Sequence, residues 1–406
     1  MSVASGVDFR FQAMNESIHL WSQAIASDLD IRSLQGWRVR SAKQVLRGFK
    51  PRDVGVTRLS FVNNFDHIGV YVAQAARPQV SVHQITSTQG CSTTIVGALC
   101  GAVMEAAERS ALAHPEIACR ATVRQARELW SVLYAPCLDA DTEPVSWAQC
   151  TEITTGVHGL VPASMIYFPL DDSFLATRPH TSGAAAGSTV LEATLYATAE
   201  VVERFYLSLL LRGRIRPRAL AGRLPPPTQG IVDQLALKGY RVKFLSLGPG
   251  PMPVIVGLLQ DTSGLTRGGV YHTSAAHPDA AHACNSVALG LAQIIATVMQ
   301  SSREDLRRTA AVHEGDGTEN YRLWDSVESI VDSVDLRSLS CDITGQTMAD
   351  LASSAVANVC AYFDTKVYWK DLTRLPGVCV VRTAFEDLVD GVVEPDRFDR
   401  AMRNFE

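Results

Sequence analysis

The sequence predicts a mixed α/β fold in which β-strands alternate with long helices. Short runs rich in β-branched residues are separated by long runs of small and apolar residues, and one order of strand, small-residue loop and helix occurs twice. Such alternation is typical of a sheet with helices packed against it. At 406 residues the chain is long enough for one large core or two ordinary ones.

The elements are predicted in chain order from apolar periodicity and turn residues. Residues 1–50 form an N-terminal region with an amphipathic helix over 15–28, and residues 51–406 form the main domain. The predicted strands are 56–62, 68–75, 161–170, 242–247, 253–260, 367–369 and 379–382. The predicted helices are 94–113, 191–211, 281–308 and 337–360. Loops are expected at 86–92 and 181–188, and a linker at 217–227.

Charge and cysteine usage exclude several classes of protein. The formal net charge is -5 and the pI is near 6.1, which argues against a nucleic-acid or anionic-membrane partner. The nine cysteines are scattered and form no CxxC pair, as expected for reduced thiols. The N-terminus lacks a signal pattern, and polar residues interrupt the apolar stretch 283–299. We therefore expect a cytoplasmic protein.

Two predicted helices carry the same Glu-x-x-Glu-Arg pattern. Its members are Glu105, Glu108 and Arg109 in the first helix and Glu200, Glu203 and Arg204 in the second. Glu192 falls on the same face as Glu200, because their spacing is close to whole helical turns. The ordinary interpretation is a solvated face with intrahelical ion pairs, worth ~0.3 kcal/mol per pair.

Two features favour a ligand site over that interpretation. The rest of both helices is small or apolar nearly all the way round, so the helices are expected to be buried, and a buried carboxylate must be neutralised. Mg²⁺ takes hard oxygen ligands and bridges carboxylates to phosphates, and a glycine-containing loop before a helix suits an anion. The sequence contains no Walker A, kinase or Rossmann motif. The residues alone leave both interpretations open.

Other candidate motifs are weak. His272, His277 and His282 recur every five residues, which spreads them around a helix rather than bringing them to one metal. Cys91 lies in a small-residue loop, but no histidine or aspartate spacing predicts a catalytic triad with it.

Five stretches, taken in order, resemble the YcaO family. They are GVTRLSFVNNFDHIGVYVAQAARP (55–78), AVMEAAER (102–109), EATLYATAEVVER (192–204), SSREDL (301–306) and DLTRLPGVCVVR (371–382). Each is weak alone, but their order and spacing are specific, and the resemblance extends to residue 391. It implies a YcaO-type fold with an ATP and Mg²⁺ site between the two glutamate-bearing helices, and it makes 51–406 the catalytic domain.

The resemblance implies ATP- and Mg²⁺-dependent activation of a backbone amide in a ribosomally synthesised peptide. Phosphorylation of the amide oxygen would lead to an azoline, a thioamide or an amidine, according to the nucleophile. The implied cofactor-binding residues are Glu105, Glu108, Arg109, Ser188, Glu192, Glu200, Glu203, Arg204 and Arg303. The five glutamates among them are the implied metal ligands. For Arg109 and Arg204 an ordinary intrahelical pair is the alternative, and for Arg303 a charge at a helix C-terminus.

The sequence also departs from the family pattern. Gln89 stands where the family has a lysine, Gly101 replaces a serine, Ser188 an asparagine, and Leu289-Gly290 a Thr-Glu pair; the proline-rich ending of many azoline-forming members is missing. These departures leave azoline formation and full ATP affinity open. A non-catalytic scaffold or peptide-binding subunit is the main alternative, and a metal-dependent hydrolase a weaker one, because no base is evident.

The resemblance also implies partners. We expect a precursor peptide as substrate and a separate leader-docking or TfuA-like protein, as for the stand-alone members involved in thioamide formation. A flavin dehydrogenase would accompany azole formation. A homodimer or hetero-oligomer is the expected assembly.

Overall fold

The structure is a computed structural model that describes residues 18, 37–63, 68–80, 86–135, 143–170, 172, 177–262, 269–300, 316–341, 343 and 347–402, without the side chains of residues 129 and 316–321. The chain divides into two compact units. Unit 1 comprises Met1–Ser41, Ala107–Phe205 and Asp342–Glu406, and unit 2 comprises Ala42–Ala106 and Tyr206–Cys341. The predicted boundary at residue 50 stays a prediction.

The described residues form fourteen strands and nine α-helices. The strands are β1 (Arg58–Phe61), β2 (Tyr71–Ala76), β3 (Ser87–Ser92), β4 (Cys119–Ala121), β5 (Val145–Glu152), β6 (Val157–Pro162), β7 (Ala184–Gly187), β8 (Arg218–Ala221), β9 (Tyr240–Ser246), β10 (Val254–Asp261), β11 (Val270–Ala276), β12 (Ser333–Asp335), β13 (Val367–Asp371) and β14 (Cys379–Phe385). The helices are α1 (Ala42–Gly48), α2 (Ile95–Leu112), α3 (Val123–Leu129), α4 (Val190–Leu211), α5 (Pro226–Leu237), α6 (Ala280–Gln300), α7 (Asp316–Glu328), α8 (Met348–Phe363) and α9 (Pro395–Met402). The predicted mixed α/β fold is confirmed.

Unit 2 contains two sheets and a helical core. One sheet has the order β1-β2-β3, and the other has the order β11-β10-β9-β8-β12, in which only the β8–β12 pair is parallel among the described pairings. Helix α6 packs against this second sheet, because Val287, Leu291 and Ile295 form a fully buried stripe at helical spacing. Among the described helices, α6 alone is long and apolar enough to span a membrane by composition, yet half of its apolar window is buried inside the protein, as in a core helix.

Unit 1 is built on a six-stranded antiparallel sheet. Its order is β4-β5-β13-β14-β7, with β6 paired to the other side of β5. Trp147 and Tyr368 are fully buried in this sheet, and so is one cation, Arg382, in the middle of β14. Arg382 lies opposite Ala184 in the β14–β7 register, which brings the turn before β7 next to it.

The repeated order of strand and glutamate helix is present in the structure. Strand β3 leads into α2, and β7 leads into α4, each through a short bend. Thr94 and Thr189 occupy matching positions before the two helices, and their hydroxyls accept hydrogen bonds from the backbone amides of Gly97 and Glu192, at 3.1 Å in both cases. A threonine at this position satisfies an amide that the first helical turn leaves unpaired.

The predicted loops at 86–92 and 181–188 are wrong in their central part, because both contain strands. The small residues are there for close packing. A Cβ atom on Gly90 would lie 2.3 Å from the backbone nitrogen of Ala102 and 2.4 Å from the carbonyl oxygen of Ala98, and one on Gly187 would lie 2.6 Å from the nitrogen of Ala193. Each strand therefore approaches its helix at backbone distance, which only glycine permits.

Replacing Gly90 by alanine is expected to lower the free energy of unfolding by about 3 kcal/mol or more, because the added methyl group meets backbone atoms that cannot rotate away. Gly230→Ala is the matched control, since this glycine lies inside α5 with no atom within 4 Å of its Cβ position, and alanine there should stabilise by about 0.5–1 kcal/mol. Urea denaturation measures both changes. Equal stabilities of the two variants would contradict the close packing.

Other boundaries differ for physical reasons. The predicted strand 161–170 is wrong beyond residue 162, where the chain enters a short 3₁₀ turn at Ala163–Met165. The predicted helix 337–360 starts instead at Met348, because Thr347 and Asp350 form a capping box. The linker predicted at 217–227 is wrong, because it contains β8 and the start of α5, where Pro226 takes the first helical position. The predicted helix over 15–28 and residues 301–308 lie outside the described residues, apart from position 18.

Candidate functional site

Glu192 is buried and fully engaged by protein donors. Its side chain is 3% exposed; one carboxylate oxygen lies 2.9 Å from Nη1 of Arg38, and the other accepts hydrogen bonds from the Ser188 hydroxyl at 2.6 Å and the Val39 amide at 3.1 Å. The Arg38 guanidinium also lies 3.8 Å from the ring centre of Tyr196. The N-terminal segment at residues 38–39 is thereby attached to helix α4.

Glu200 and Glu203 lie further along α4 and share one cation. Nη2 of Arg204 is 3.6 Å from Glu200 and its Nε is 3.9 Å from Glu203. Glu200 also accepts a hydrogen bond of 3.1 Å from the backbone amide of Gly183, in the turn before β7. Its side chain is 26% exposed, so a ligand can reach it.

Helix α2 places its two glutamates one turn apart. Glu105, in unit 2, accepts a hydrogen bond of 2.9 Å from the backbone amide of Gln89 on β3. Glu108, in unit 1, lies 3.8 Å from Nε of Arg109. The three ion-pair distances on this helix and on α4 lie between 3.6 Å and 3.9 Å, near the upper end for an ion pair.

Two arginines of unit 1 interact electrostatically with carboxylates of both glutamate helices. Burial lowers the pKa of Arg204, but the carboxylates of Glu203 and Glu200, with Asp390 and Glu108, outweigh burial and raise it above its ordinary value. Burial lowers the pKa of Arg382 to about 10, although Glu200 and Glu108 act in the opposite direction. Glu108 on α2 and Glu200 on α4 therefore interact with the same two cations.

A family model described as YcaO cyclodehydratase, ATP- and Mg²⁺-binding, matches residues 89–388. The chain belongs to the YcaO family. Its relatives include an uncharacterized protein from Methanothermobacter thermautotrophicus, 26% identical over 388 residues that cover 88% of this chain and 96% of the relative. Another is an uncharacterized protein in the tfuA 3' region of Rhizobium leguminosarum bv. trifolii, 27% identical over 321 residues that cover 69% of this chain and 75% of the relative.

Solved structures of the same fold agree. The YcaO structure from Methanopyrus kandleri bound with AMPPCP and Mg²⁺ has a TM-score of 0.73 and 24% identity, and the match covers 92% of this chain and 97% of that one. A heterocyclase in complex with substrate and cofactor has a TM-score of 0.71 and 17% identity, covering 89% of this chain and 54% of that one. The predicted YcaO-type fold is confirmed. The predicted cofactors, ATP and Mg²⁺, are confirmed for the family to which the chain belongs.

The residues of this YcaO protein fit a metal ion that arrives together with a nucleotide. In the described part of the chain, no three His, Cys, Asp or Glu side chains form a ready-made metal site. Mg²⁺ does not require one, because it usually takes one or two carboxylates, with phosphate oxygens and waters as its other ligands. Glu108, Glu200 and Glu203 supply hard carboxylate oxygens, and Arg204 supplies a cation for a phosphate. Arg303 lies outside the described residues.

A neutral network replaces the cation expected of a YcaO protein at position 89. The side-chain oxygen of Gln89 lies 2.8 Å from the hydroxyl of Thr297 and 3.4 Å from the amide nitrogen of Gln293. Gln89 is buried, at 4% exposure. The two glycine departures relate to packing, since a Cβ on Gly101 would lie 3.1 Å from Cα of Gly90 and one on Gly290 would lie 2.9 Å from the hydroxyl of Thr273. Position 89 is therefore neutral, and positions 101 and 290 lie in tight contacts.

Sequence reasoning did not single out Arg382 or its neighbour His180. A signal was present, because Arg382 is the one charged residue within the apolar strand Cys379–Phe385. His180 accepts a hydrogen bond of 3.1 Å at Nδ1 from the amide of Ser182, which requires that nitrogen to be unprotonated. Burial, and then Arg382, Arg397 and Arg204, hold the pKa of His180 well below its ordinary value. Glu394, 3.8 Å away, does not reverse this, since it is already paired with Arg397 at 2.7 Å.

Lowering the pH below about 6.5 is expected to destabilise the wild-type protein through His180. The unfolded chain takes up this proton near pH 6.5 whereas the folded protein does not, so stability falls by at most about 1.4 kcal/mol per pH unit. His180→Gln stays neutral and should flatten the dependence of the unfolding free energy between pH 6.5 and pH 5, as measured by urea denaturation at several pH values. An unchanged slope in this variant would contradict a neutral His180.

Proposed function

We propose that this YcaO protein uses ATP and Mg²⁺ to activate a backbone amide of a ribosomally synthesised peptide. The observation that carries the proposal is the grouping of Glu200 and Glu203 around Arg204, at 3.6 Å and 3.9 Å, with Glu108 acting electrostatically on the same arginine. Carboxylates and arginines in one place are what phosphoryl transfer needs, because that reaction depends mainly on positioning and charge neutralisation. Membership of an ATP- and Mg²⁺-binding family gives the arrangement its cofactors.

In the proposed reaction the amide carbon gains a bond to a nucleophile and loses its oxygen. A nucleophile adds to the amide carbon, the former carbonyl oxygen is phosphorylated at the expense of ATP, and that oxygen then leaves with the phosphate. When bound, Mg-ATP supplies the electrophilic phosphorus. The glutamates Glu105, Glu108, Glu192, Glu200 and Glu203 would hold the metal. Arg109, Arg204 and Arg303 would contact phosphates or orient carboxylates, and Ser188 would be a further cofactor-binding residue. Arg204 would offset the negative charge that develops on the transferred group.

Glu192 sets a condition on this assignment. Both of its oxygens are taken by Arg38, Val39 and Ser188. For Glu192 to bind metal, the Arg38 guanidinium must move away from the Glu192 carboxylate, or it must bind that carboxylate and a phosphate at the same time. The Arg38 side chain is 43% exposed, so it has room to move.

A thioamide is the product that we favour. A relative of this chain is named for its position in a tfuA 3' region, which supports a TfuA-like partner and a sulfide source as the nucleophile. The similarity to a heterocyclase in complex with its substrate supports a peptide substrate and keeps azoline formation as the second product. A leader-docking protein, a flavin dehydrogenase in the azoline case, the oligomeric state and the cytoplasmic location stay predictions.

Mass spectrometry of a precursor peptide tests the product. The peptide is incubated with this protein, a TfuA-like protein, ATP, Mg²⁺ and sulfide, and then with each component omitted. Exchange of one oxygen for sulfur identifies a thioamide, whereas loss of one water identifies an azoline. A peptide whose mass never changes in an ATP-dependent way would contradict both.

A non-catalytic scaffold is the second candidate function, favoured by the neutral Gln89 network and the engaged Glu192. Calorimetry separates the two candidates. An enzyme should give a heat of ATP binding only when Mg²⁺ is present in the calorimeter cell. A scaffold should give no Mg²⁺-dependent heat of ATP binding.

A further inference from the structure

Unit 1 contains a cleft that has no assigned role in the proposed reaction, although Arg204 belongs to both. Its empty space, part of it open to solvent, is about 410 Å³. Strand β14, the turn before β7 and the C-terminal segment around helix α9 all contribute to its wall. The polar residues that line it include Thr177, His180, Ser182, Arg204, Arg382 and Arg397. The cleft is therefore lined by three arginines.

Most of the polar groups in this cleft already have partners. Arg397 is 2.7 Å from Glu394, and the hydroxyl of Ser182 donates to Asp390 at 2.7 Å. Arg382 is different. It is 1% exposed, its Nε donates to the carbonyl of Met165 at 3.0 Å, and its Nη1 is buried with no hydrogen-bond partner among the described residues. An unpartnered N–H on a buried guanidinium is costly unless a ligand accepts from it.

Three arginines and two carboxylates, Asp390 and Glu394, line the cleft. The three arginines act together on His180, whose ring stays neutral there. Arg382 itself keeps its charge at neutral pH despite complete burial. A cleft lined by a buried guanidinium whose Nη1 has no partner among the described residues is suited to an oxyanion.

Two features connect the cleft to the glutamates of α4. Arg204 lines the cleft and is also the cation beside Glu200 and Glu203. Ser182 lines the cleft, and the next residue, Gly183, donates its amide to Glu200. An anion produced at Glu200 would therefore be formed beside residues that line the cleft.

We propose that this cleft is a phosphate subsite in which Arg382 binds the phosphate released when the activated peptide loses its oxygen. The proposal rests on the proposed function for the origin of the phosphate. A carboxylate presents similar oxygens, but the position beside Glu200 and the sharing of Arg204 favour phosphate. Arg382 acts as a binding residue that takes up the leaving group.

Calorimetric titration with inorganic phosphate, in the absence of ATP, tests the proposal. Wild-type protein should bind phosphate saturably and more tightly than acetate at equal ionic strength. Arg382→Lys keeps the charge but loses the planar fork, and it should weaken phosphate binding by about tenfold or more. Arg374→Lys is the matched control, because this half-exposed arginine bonds to the carbonyl of His114 outside the cleft, and its phosphate affinity should equal that of wild type.

Several results would overturn the proposal. They are unchanged phosphate affinity in Arg382→Lys, tighter binding of acetate than of phosphate, or a wild-type protein that responds no differently to phosphate and to chloride. The last two comparisons use wild type alone, so they decide the matter even where Arg382→Lys fails to fold, which thermal unfolding would reveal. Mg²⁺-dependent ATP binding is measured in parallel. If wild type shows no Mg²⁺-dependent ATP binding, the proposed function is contradicted. If wild type does bind ATP in this way but Arg382→Lys binds phosphate as tightly as wild type, only the phosphate subsite is contradicted.

Discussion

Glu200→Ala is expected to reduce peptide-dependent ATP turnover by about a hundredfold or more. In the proposed site the Glu200 carboxylate meets Mg²⁺ and phosphate while the Gly183 amide and Arg204 hold it in place. Removing a group that stabilises charge in a phosphoryl-transfer transition state costs about two to three orders of magnitude in rate. Phosphate release measured with saturating ATP, Mg²⁺ and peptide shows the loss directly.

The controls for this variant separate charge from folding. Glu200→Gln keeps the size and the hydrogen bond from Gly183 but removes the negative charge, so it should lose turnover as Glu200→Ala does. Glu116→Ala removes an exposed carboxylate whose nearest cations are 3.6 Å and 3.8 Å away, and it should turn over ATP at the wild-type rate. Wild-type turnover in Glu200→Ala would remove the main support for the proposed function.

The long elements of the fold could be predicted because their patterns are long and consistent. Helices predicted at 94–113 and 191–211 are observed at Ile95–Leu112 and Val190–Leu211, since their small and apolar residues continue over many turns. The strands around 242–247 and 253–260 are likewise observed within two residues. For such elements, local periodicity and tertiary packing favour the same structure.

The strands rich in glycine and alanine could not be predicted in the same way. Local composition makes Ser87–Ser92 and Ala184–Gly187 resemble loops, because alanine, glycine and serine have little intrinsic preference for strands. What makes them strands is a helix backbone at van der Waals distance, which belongs to the tertiary structure. The same limit applies to Arg382, whose importance depends on an unpartnered N–H facing a cleft.

The identity of the glutamates could be predicted, but their separate roles could not. Sequence spacing places Glu192 and Glu200 on one face of α4, so the sequence alone predicts the same role for both. The structure distinguishes them, because Glu192 is 3% exposed and held by three donors, whereas Glu200 is 26% exposed and held by one amide and a more distant arginine. Two of the three donors of Glu192 come from 38–39, a segment far away in sequence. No local pattern could reveal that contact.

This difference predicts unequal effects on stability. Glu192→Ala should lower the free energy of unfolding by about 2–3 kcal/mol, because it leaves the Ser188 hydroxyl and the Val39 amide without their acceptor and Arg38 without its counter-ion. Glu200→Ala should change stability little, because in the absence of metal its loss also relieves repulsion from Glu203 on the same face. Urea denaturation without Mg²⁺ or ATP measures both.

A double-mutant cycle then assigns the Glu192 effect to the N-terminal segment. Arg38→Ala alone should cost less than Glu192→Ala, since Arg38 is 43% exposed and water can replace much of its interaction with the carboxylate. If the two residues form one unit, the double variant should be less destabilised than the sum of the single variants. Additive losses, or a neutral Glu192→Ala, would show that residues 38–39 do not anchor to α4. In that case the condition that Arg38 sets on the role of Glu192 in ATP binding would no longer hold.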